Sequence, residues 1–473
     1  MVGGGDTSPV IGKKSEVGNM AQFSRRSFLK TGAAAGFFIS ASRIYGQEVK
    51  AGDQKLRVLK VGTGGMGGGD INSLANCNVI FTGVCDTDPG SLKGAMERFK
   101  GVPGDTDFRK LYEKAIKNCD GVCVSTADHT HAIIALEAMR QKKHVYVQKP
   151  LAHSFEECEM LMAAEKKYGV VTQMGNQGHP GVYRYERLWE KKFWGDEILE
   201  VHSWTDRAAG WWPQGMKELA KGEEIPQGYN WDCWLGPAAY RPYSGAYLPF
   251  KWRGWKDFGC GAIGDMAVHN FDPAYWVLEL GLPISAKAWV DSPSKVAFPE
   301  HSTIDMKFGP SPKCPKGVAF HWYESKILPK AVSGQHKDYK FDGNGCMIVG
   351  SRATTVGGSH ASKPQAIAAT GKEFGPEAKA LQRECNEILK DPGKWQYDHY
   401  RQWVEACMKN DQTMTGSRFA YAGRLTQTLL IGCISQFFPG EELTFDPKKK
   451  AFNNPAATAM LKCTGRPGFQ LRV

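Results

Sequence analysis

A strand pattern, Leu56-Arg57-Val58-Leu59-Lys60-Val61, runs straight into Gly62-Thr63-Gly64-Gly65-Met66-Gly67, and apolar residues at helical spacing follow from Ile71 to Ala75. Little else in a sequence restricts a fold so tightly. Gly62 suits the tight turn, Gly64 lets backbone approach a diphosphate, and Gly67 lets helix and strand pack closely. The helix that opens here offers unpaired amides and the positive end of its dipole, which suits a pyrophosphate. Val79 to Cys85 reads as a second strand ending at Asp86. A carboxylate there accepts hydrogen bonds from ribose hydroxyls and repels a 2′-phosphate. No arginine follows in Thr87-Asp88-Pro89, so NAD is expected rather than NADP.

Further strand–helix units succeed this one. Gly121-Val122-Cys123-Val124-Ser125 is a strand, and Thr126 to His131 opens a helix through Met139. His144 to Val147 is a strand ending in Gln148-Lys149-Pro150; a helix over Glu156 to Tyr168 and a strand over Val170 to Met174 lead into Gly175-Asn176. At 473 residues the chain exceeds one typical domain. The expected boundaries are a leader at 1–46, a nucleotide-binding domain at 53–175, and a substrate-binding and oligomerisation domain at 176–473.

The leader carries Ser24-Arg25-Arg26-Ser27-Phe28-Leu29-Lys30, then an uncharged run from Thr31 to Ser42. That run is too short to span a bilayer. The order of basic, apolar and small residues reads as a signal peptide, and the twin arginine marks the Tat route to the periplasm or beyond. The 13 cysteines are scattered without a CxxC pair, as buried thiols of a protein folded in a reducing compartment would be. Thr426 to Gly440 is uncharged but reads as a buried helix, so no integral membrane segment is expected. The formal charge is +11, of which +4 falls in residues 1–50 (seven Lys/Arg against three Asp/Glu). The remainder is spread thinly, which excludes a basic block for nucleic acid.

The glycine loop, Asp86, the Thr126…His131 helix start, Lys149-Pro150 and the segment Gly261-Ala262-Ile263-Gly264-Asp265-Met266-Ala267-Val268-His269 together resemble the Gfo/Idh/MocA family (glucose-fructose oxidoreductase / inositol dehydrogenase). The resemblance implies an α/β fold: an N-terminal Rossmann dinucleotide-binding domain plus a C-terminal α/β domain with an open, mostly antiparallel sheet. It implies a homo-oligomer and a cis Lys149–Pro150 bond. Cofactor contacts would come from Gly62, Gly64, Gly65, Met66, Gly67, Asp86, Thr126, His131, Gln148, Lys149 and Asn176. The catalytic group would be Lys149, Asp265 and His269. Oxidising a carbinol needs a base for the hydroxyl proton, and residues four apart share one helix face. One departure stands out: the family usually has glutamate before the lysine, and this chain has Gln148.

Ten of 14 tryptophans lie between Trp189 and Trp276, a density that favours stacking on a carbohydrate. His179, Asp206, Arg207, Gln214 and Trp252 are candidate substrate contacts. No histidine cluster has metal-ligand spacing except His129-x-His131 on the nucleotide side, so no metal is expected. Ala286 to Val290, Thr303 to Phe308 and Val318 to Tyr323 read as strands; Glu377 to Lys390, His399 to Lys409 and Ser417 to Phe438 read as helices. The leading expectation is an NAD-dependent enzyme acting on a secondary hydroxyl of a carbohydrate with a retained cofactor. The alternative is an NAD-dependent glycosidase working by transient oxidation, elimination and hydration. A non-catalytic sugar- or nucleotide-binding protein is a third reading, which the Lys149, Asp265 and His269 set disfavours.

Overall fold

The computed structural model describes residues 55–473 apart from 209, 326, 330–340, 368–375, 391–397 and 464. The expected leader and its signal lie outside the described residues. The first sheet has six strands: β1 (Leu56–Val61), β2 (Val79–Cys85), β3 (Gly104–Asp105), β4 (Gly121–Val124), β5 (His144–Gln148) and β6 (Thr172–Gly175). Their order is β3-β2-β1-β4-β5-β6 and every pairing is parallel. The strand order reverses at β1/β4, which places a crevice at the carboxyl ends of those strands. β4 and β6 are buried at every position, as strands covered on both faces must be.

The helix after β5, Phe155–Tyr168, shows why such segments start and stop where they do. Ser154 and Glu157 form a reciprocal capping box, and Gly169 ends the helix in the left-handed conformation. Helix Phe419–Ser435 packs against it and is buried on nearly every side from Leu425 onward, which explains the absence of charge after Arg424. Among the described residues no helix is long and apolar enough to cross a membrane.

The second sheet has nine strands: β7 (Ile198–Thr205), β8 (Pro283–Val290), β9 (Ser302–Phe308), β10 (Val318–Glu324), β11 (Asn344–Gly350), β12 (Thr354–Gly357), β13 (Gln365–Ile367), β14 (Glu442–Asp446) and β15 (Ala451–Phe452). Their order is β13-β12-β11-β7-β10-β9-β8-β14-β15. The sheet is antiparallel except between β7 and β10. The three strands expected between 286 and 323 are present, each extended by one to three residues.

One feature departs from a simple division at 175. Helix His399–Lys409 returns to the first sheet, where Tyr400, Trp403, Val404 and Cys407 pack with Leu56, Val58, Ile71, Leu74, Cys123 and Tyr146. All 13 cysteines are free and 12 are buried. The tryptophan density has a structural cause rather than the expected carbohydrate one. Trp231, Trp234 and Trp255 are buried in a separate aromatic core with Tyr247 and Phe258, and Trp194, Trp204 and Trp212 are buried elsewhere. Trp189, Trp252 and Trp276 are half-buried, and Trp211 is 61% exposed.

Candidate active site

The glycine loop sits at the carboxyl end of β1. Gly62 has φ +83°, and a Cβ there would lie 2.3 Å from the Ser125 carbonyl oxygen. A Cβ on Gly67 would lie 2.2 Å from the Gly62 carbonyl oxygen. Only glycine permits the turn and the helix packing behind it. The following helix, Met66–Ala75, has no side-chain cap on its amides; the Gly67 and Gly68 amides donate to the Gly64 and Gly65 carbonyls, which leaves the Gly65 and Met66 amides at the N-terminus for an anion. Asp86 Oδ2 accepts from the Thr63 amide at 2.7 Å and the Gly64 amide at 3.1 Å. Burial raises its carboxyl, opposed by those amides. Oδ1 accepts only from the Asp88 amide at 3.0 Å, leaving a lone pair for a hydroxyl. The open amides, the cradle and the acid fit a dinucleotide.

Gln148 and Lys149 end β5 and part company. The Gln148 amide donates to Asp70 at 2.8 and 3.1 Å. Asp70 lies fully buried in the helix after the glycine loop and also accepts from Ser125 (2.5 Å) and Tyr400 (2.7 Å). Burial raises its carboxyl; Lys60, Ser125, Tyr400 and Gln148 work against that rise. Gln148 is therefore a donor to a buried acid, and its neutral amide replaces a carboxylate that would face another at that distance. Lys149 turns the other way. The Lys149–Pro150 bond is cis, and Nζ donates to Asp265 Oδ1 at 2.5 Å and to the Asp265 carbonyl at 3.0 Å.

Asp265 collects three cations. Besides Lys149, Arg253 Nε reaches Oδ1 at 3.0 Å and Arg207 Nη1 reaches Oδ2 at 3.2 Å. Burial would raise the Asp265 carboxyl, but Lys149, Arg253 and Arg207 hold it well below the usual carboxylate range. Burial pushes the Lys149 ammonium down, and Asp265 pushes it back. The Ile263–Ala267 turn that carries Asp265 is a π-helical turn continuing into Val268–Asn270, a feature often found at functional sites. His269 does not bond to Asp265. It stacks on His360 at 3.9 Å, and its buried Nδ1 has no hydrogen-bond partner among the described residues. Burial, His360 and Lys149 hold its imidazole well below its usual value, hence neutral.

Several expected contacts take other places. His131 is fully buried, with Nδ1 at 2.8 Å from the Pro150 carbonyl and Nε2 at 3.1 Å from the Thr126 carbonyl; it braces the turn under Lys149 instead of facing a ligand. Thr126 Oγ1 accepts from Thr130 at 2.7 Å. Asn176 and His179 both donate to Asp272, at 3.0 and 2.9 Å, alongside the Tyr421 hydroxyl. Gln214 is buried between Trp212 and the Pro299 carbonyl. Asp206 accepts from Asn344 at 2.9 Å. Trp252 lies against the Arg253 guanidinium at 4.1 Å, one shell from Asp265, and Trp211 lies against Arg207 at 4.4 Å. Of the expected substrate contacts, Arg207 is the one that meets Asp265 directly among the described residues.

Sequence reasoning missed Arg253, His360, Asp70 and Asp128. Asp128 is buried and accepts from the Cys260 amide at 3.2 Å; burial raises its carboxyl to about 7, against the pull of Arg253 and Lys149.

Residues 56–176 match the profile described as oxidoreductase family, NAD-binding Rossmann fold, and residues 201–312 match that family's C-terminal alpha/beta domain. These two segments match both domain models of the Gfo/Idh/MocA oxidoreductase family. Inositol 2-dehydrogenase of Salmonella typhimurium is 30% identical over 112 residues, which is 23% of this chain and 33% of that protein. A glycosyl hydrolase family 109 protein of Shewanella pealeana is 27% identical over 166 residues, 30% of this chain and 36% of that one. The chain thus aligns with about a third of the length of these curated relatives. Among solved structures, the WlbA dehydrogenase of Chromobacterium violaceum, in complex with NADH and UDP-GlcNAcA, superposes with a TM-score of 0.56 at 17% identity, covering 84% of this chain and 97% of that one. At that identity the likeness establishes the fold.

Proposed function

We propose that this chain is an NAD-dependent enzyme that oxidises a secondary hydroxyl of a carbohydrate, keeps its cofactor between turnovers, and returns the hydride to the carbonyl of a second sugar. The observation that carries the reading is the Lys149–Asp265 pair, set at the carboxyl end of β5, on the same edge of the parallel sheet as the glycine loop after β1. When bound, the nicotinamide supplies the two-electron acceptor. The residues do the rest. Lys149, its ammonium destabilised by burial, takes the hydroxyl proton in its neutral form. Asp265 stays ionised and holds the ammonium that results. His269, neutral and with Nδ1 unpartnered, accepts a hydrogen bond from a neighbouring hydroxyl. With Lys149 neutral, Arg207 and Arg253 still outnumber the Asp265 carboxylate, which leaves the site positive and favours an acidic sugar.

The leader motif supports export by the Tat route, which carries folded proteins, and the family supports a homo-oligomer. Free NAD is scarce outside the cytoplasm, so an exported enzyme needs a bound cofactor. The test is turnover of sugars and glycosides without added NAD, in heavy water, with mass analysis of products. Continued turnover without NADH accumulation is expected. A strict need for added NAD with stoichiometric NADH release would refute retention. The similarity to the family 109 protein supports a second reading, a redox-neutral glycosidase; deuterium on carbon in a hydrolysed sugar would favour it.

A further inference from the structure

The second sheet carries a group of side chains that the proposed reaction does not use. β7 and β10 run parallel and pair His202 with His321, while β10 and β9 pair His321 with Asp305. Side chains two apart on a strand share a face, so Glu200, His202, Asp305, His321 and Tyr323 line one side of the sheet. Phe320, on the other side, stacks on Phe271 at 3.8 Å. The group therefore faces away from the helical segment that carries Asp265.

We propose that Glu200, His202 and His321 bind a divalent transition-metal ion of the zinc class. One ligand atom of each lies within 4.8 Å of the others. A tetrahedral ion with bonds of about 2.0–2.1 Å draws its ligands to about 3.3 Å, a closure that the exposed Glu200 carboxylate and the adjacent imidazoles can make. Two features set the group apart from a chance surface cluster. First, the outer partners are in place. His321 Nδ1 meets Asp305 Oδ1 at 2.6 Å, and His202 Nδ1 meets the Tyr323 hydroxyl at 3.1 Å. An oxygen on the far nitrogen of each imidazole fixes the ring and frees its other nitrogen for a metal. Second, burial is graded. His202 is 1% exposed, and the side chains of His321 and Glu200 are 25% and 45% exposed, giving an anchored floor and an open mouth for a fourth, water ligand. Imidazole nitrogens select zinc-like ions over magnesium or calcium. Asp291, Glu300 and His301 form a second close group, but with one histidine and no buried member it serves as the control.

The full-length protein, made without a histidine tag and stripped with chelator, is titrated with Zn²⁺ by calorimetry and with Co²⁺ by visible absorption. One ion per chain is expected. His321→Ala and Glu200→Ala, both at solvent-reachable positions, each abolish stoichiometric binding and the cobalt bands. Asp305→Asn weakens affinity by about 10- to 100-fold, the usual effect of losing an outer partner. His301→Ala changes nothing. Far-UV circular dichroism confirms that each variant folds. The proposal is overturned if the wild type binds no ion, if binding survives both His321→Ala and Glu200→Ala, or if it is lost in His301→Ala.

Discussion

Two carboxylates, Asp70 and Asp265, lie on either side of one dipeptide, and the chain treats them in opposite ways. Gln148 gives its amide to Asp70, and the next residue, Lys149, gives its ammonium to Asp265. Both acids are nearly or wholly buried. Asp70 receives direct hydrogen bonds from neutral donors only, and burial raises its carboxyl. Asp265 is ringed by three cations, which hold it down despite burial. The first arrangement ties a helix, a strand end and the returning helix together. The second keeps charge at the carboxyl end of β5, the edge of an open α/β sheet where ligands bind. Burial alone does not mark a functional acid; the kind of partner does.

Removing Asp265 breaks the contrast most severely. Asp265→Ala strands Lys149, Arg207 and Arg253 together, and losing one partner of a buried ion pair costs about 3–5 kcal/mol. Denaturant melts should show that loss together with loss of turnover; a variant as stable as wild type would mean the three cations find other partners. Lys149→Ala should keep the fold and the bound cofactor while turnover falls by about 100-fold or more. Near-normal turnover would leave Lys149 with positioning alone. Gln148→Glu tests the other side. It sets a second carboxylate against Asp70 and removes a buried donor, at about 1–3 kcal/mol. An unchanged melting temperature would show that Asp70 already carries a proton and can serve as the donor.

Asp128 sharpens the comparison by titration. Its folded pKa, about 7, lies above the ordinary aspartate value, so the native state holds a proton that the unfolded chain gives up. Wild-type stability from this group is therefore present at low pH and lost as pH rises towards 7. Against Asp128→Asn, the wild type should lose up to about 1.4 kcal/mol per pH unit between about pH 4 and 7. Parallel stability profiles for the two proteins would show that Asp128 keeps an ordinary pKa.

The first half of the molecule was largely legible because its signals are local. A glycine loop between a strand and a helix, with Asp86 ending the next strand, leaves one geometry open, and the parallel sheet follows. Lys149 and Asp265 were legible through motif context. Arg253 was not, because it lies in an irregular stretch with no period to read, and His360 lies in a connection between short strands. His131 and Gln214 were read as ligand contacts, yet each sits within a buried hydrogen-bond set, whereas His179 gives Nδ1 to Asp272 and leaves Nε2 without a partner among the described residues. A polar residue in a likely loop looks the same in sequence whether it greets a ligand or satisfies a carbonyl. The tryptophans failed for a related reason: density along the chain says nothing about whether indoles face one another or a sugar.

The returning helix has a consequence for synthesis. A ribosome releases β1 to β6 roughly 200 residues before Tyr400 and Trp403 exist to cover them. Until then Asp70 lacks one of its donors, and the thiols of Cys77 and Cys123, which end in the same core as Cys407, have no lid. The nascent chain waits, partly assembled, with those thiols uncovered. Deleting everything after residue 390 would therefore not yield a smaller nucleotide-binding protein, but one left permanently at that unfinished stage.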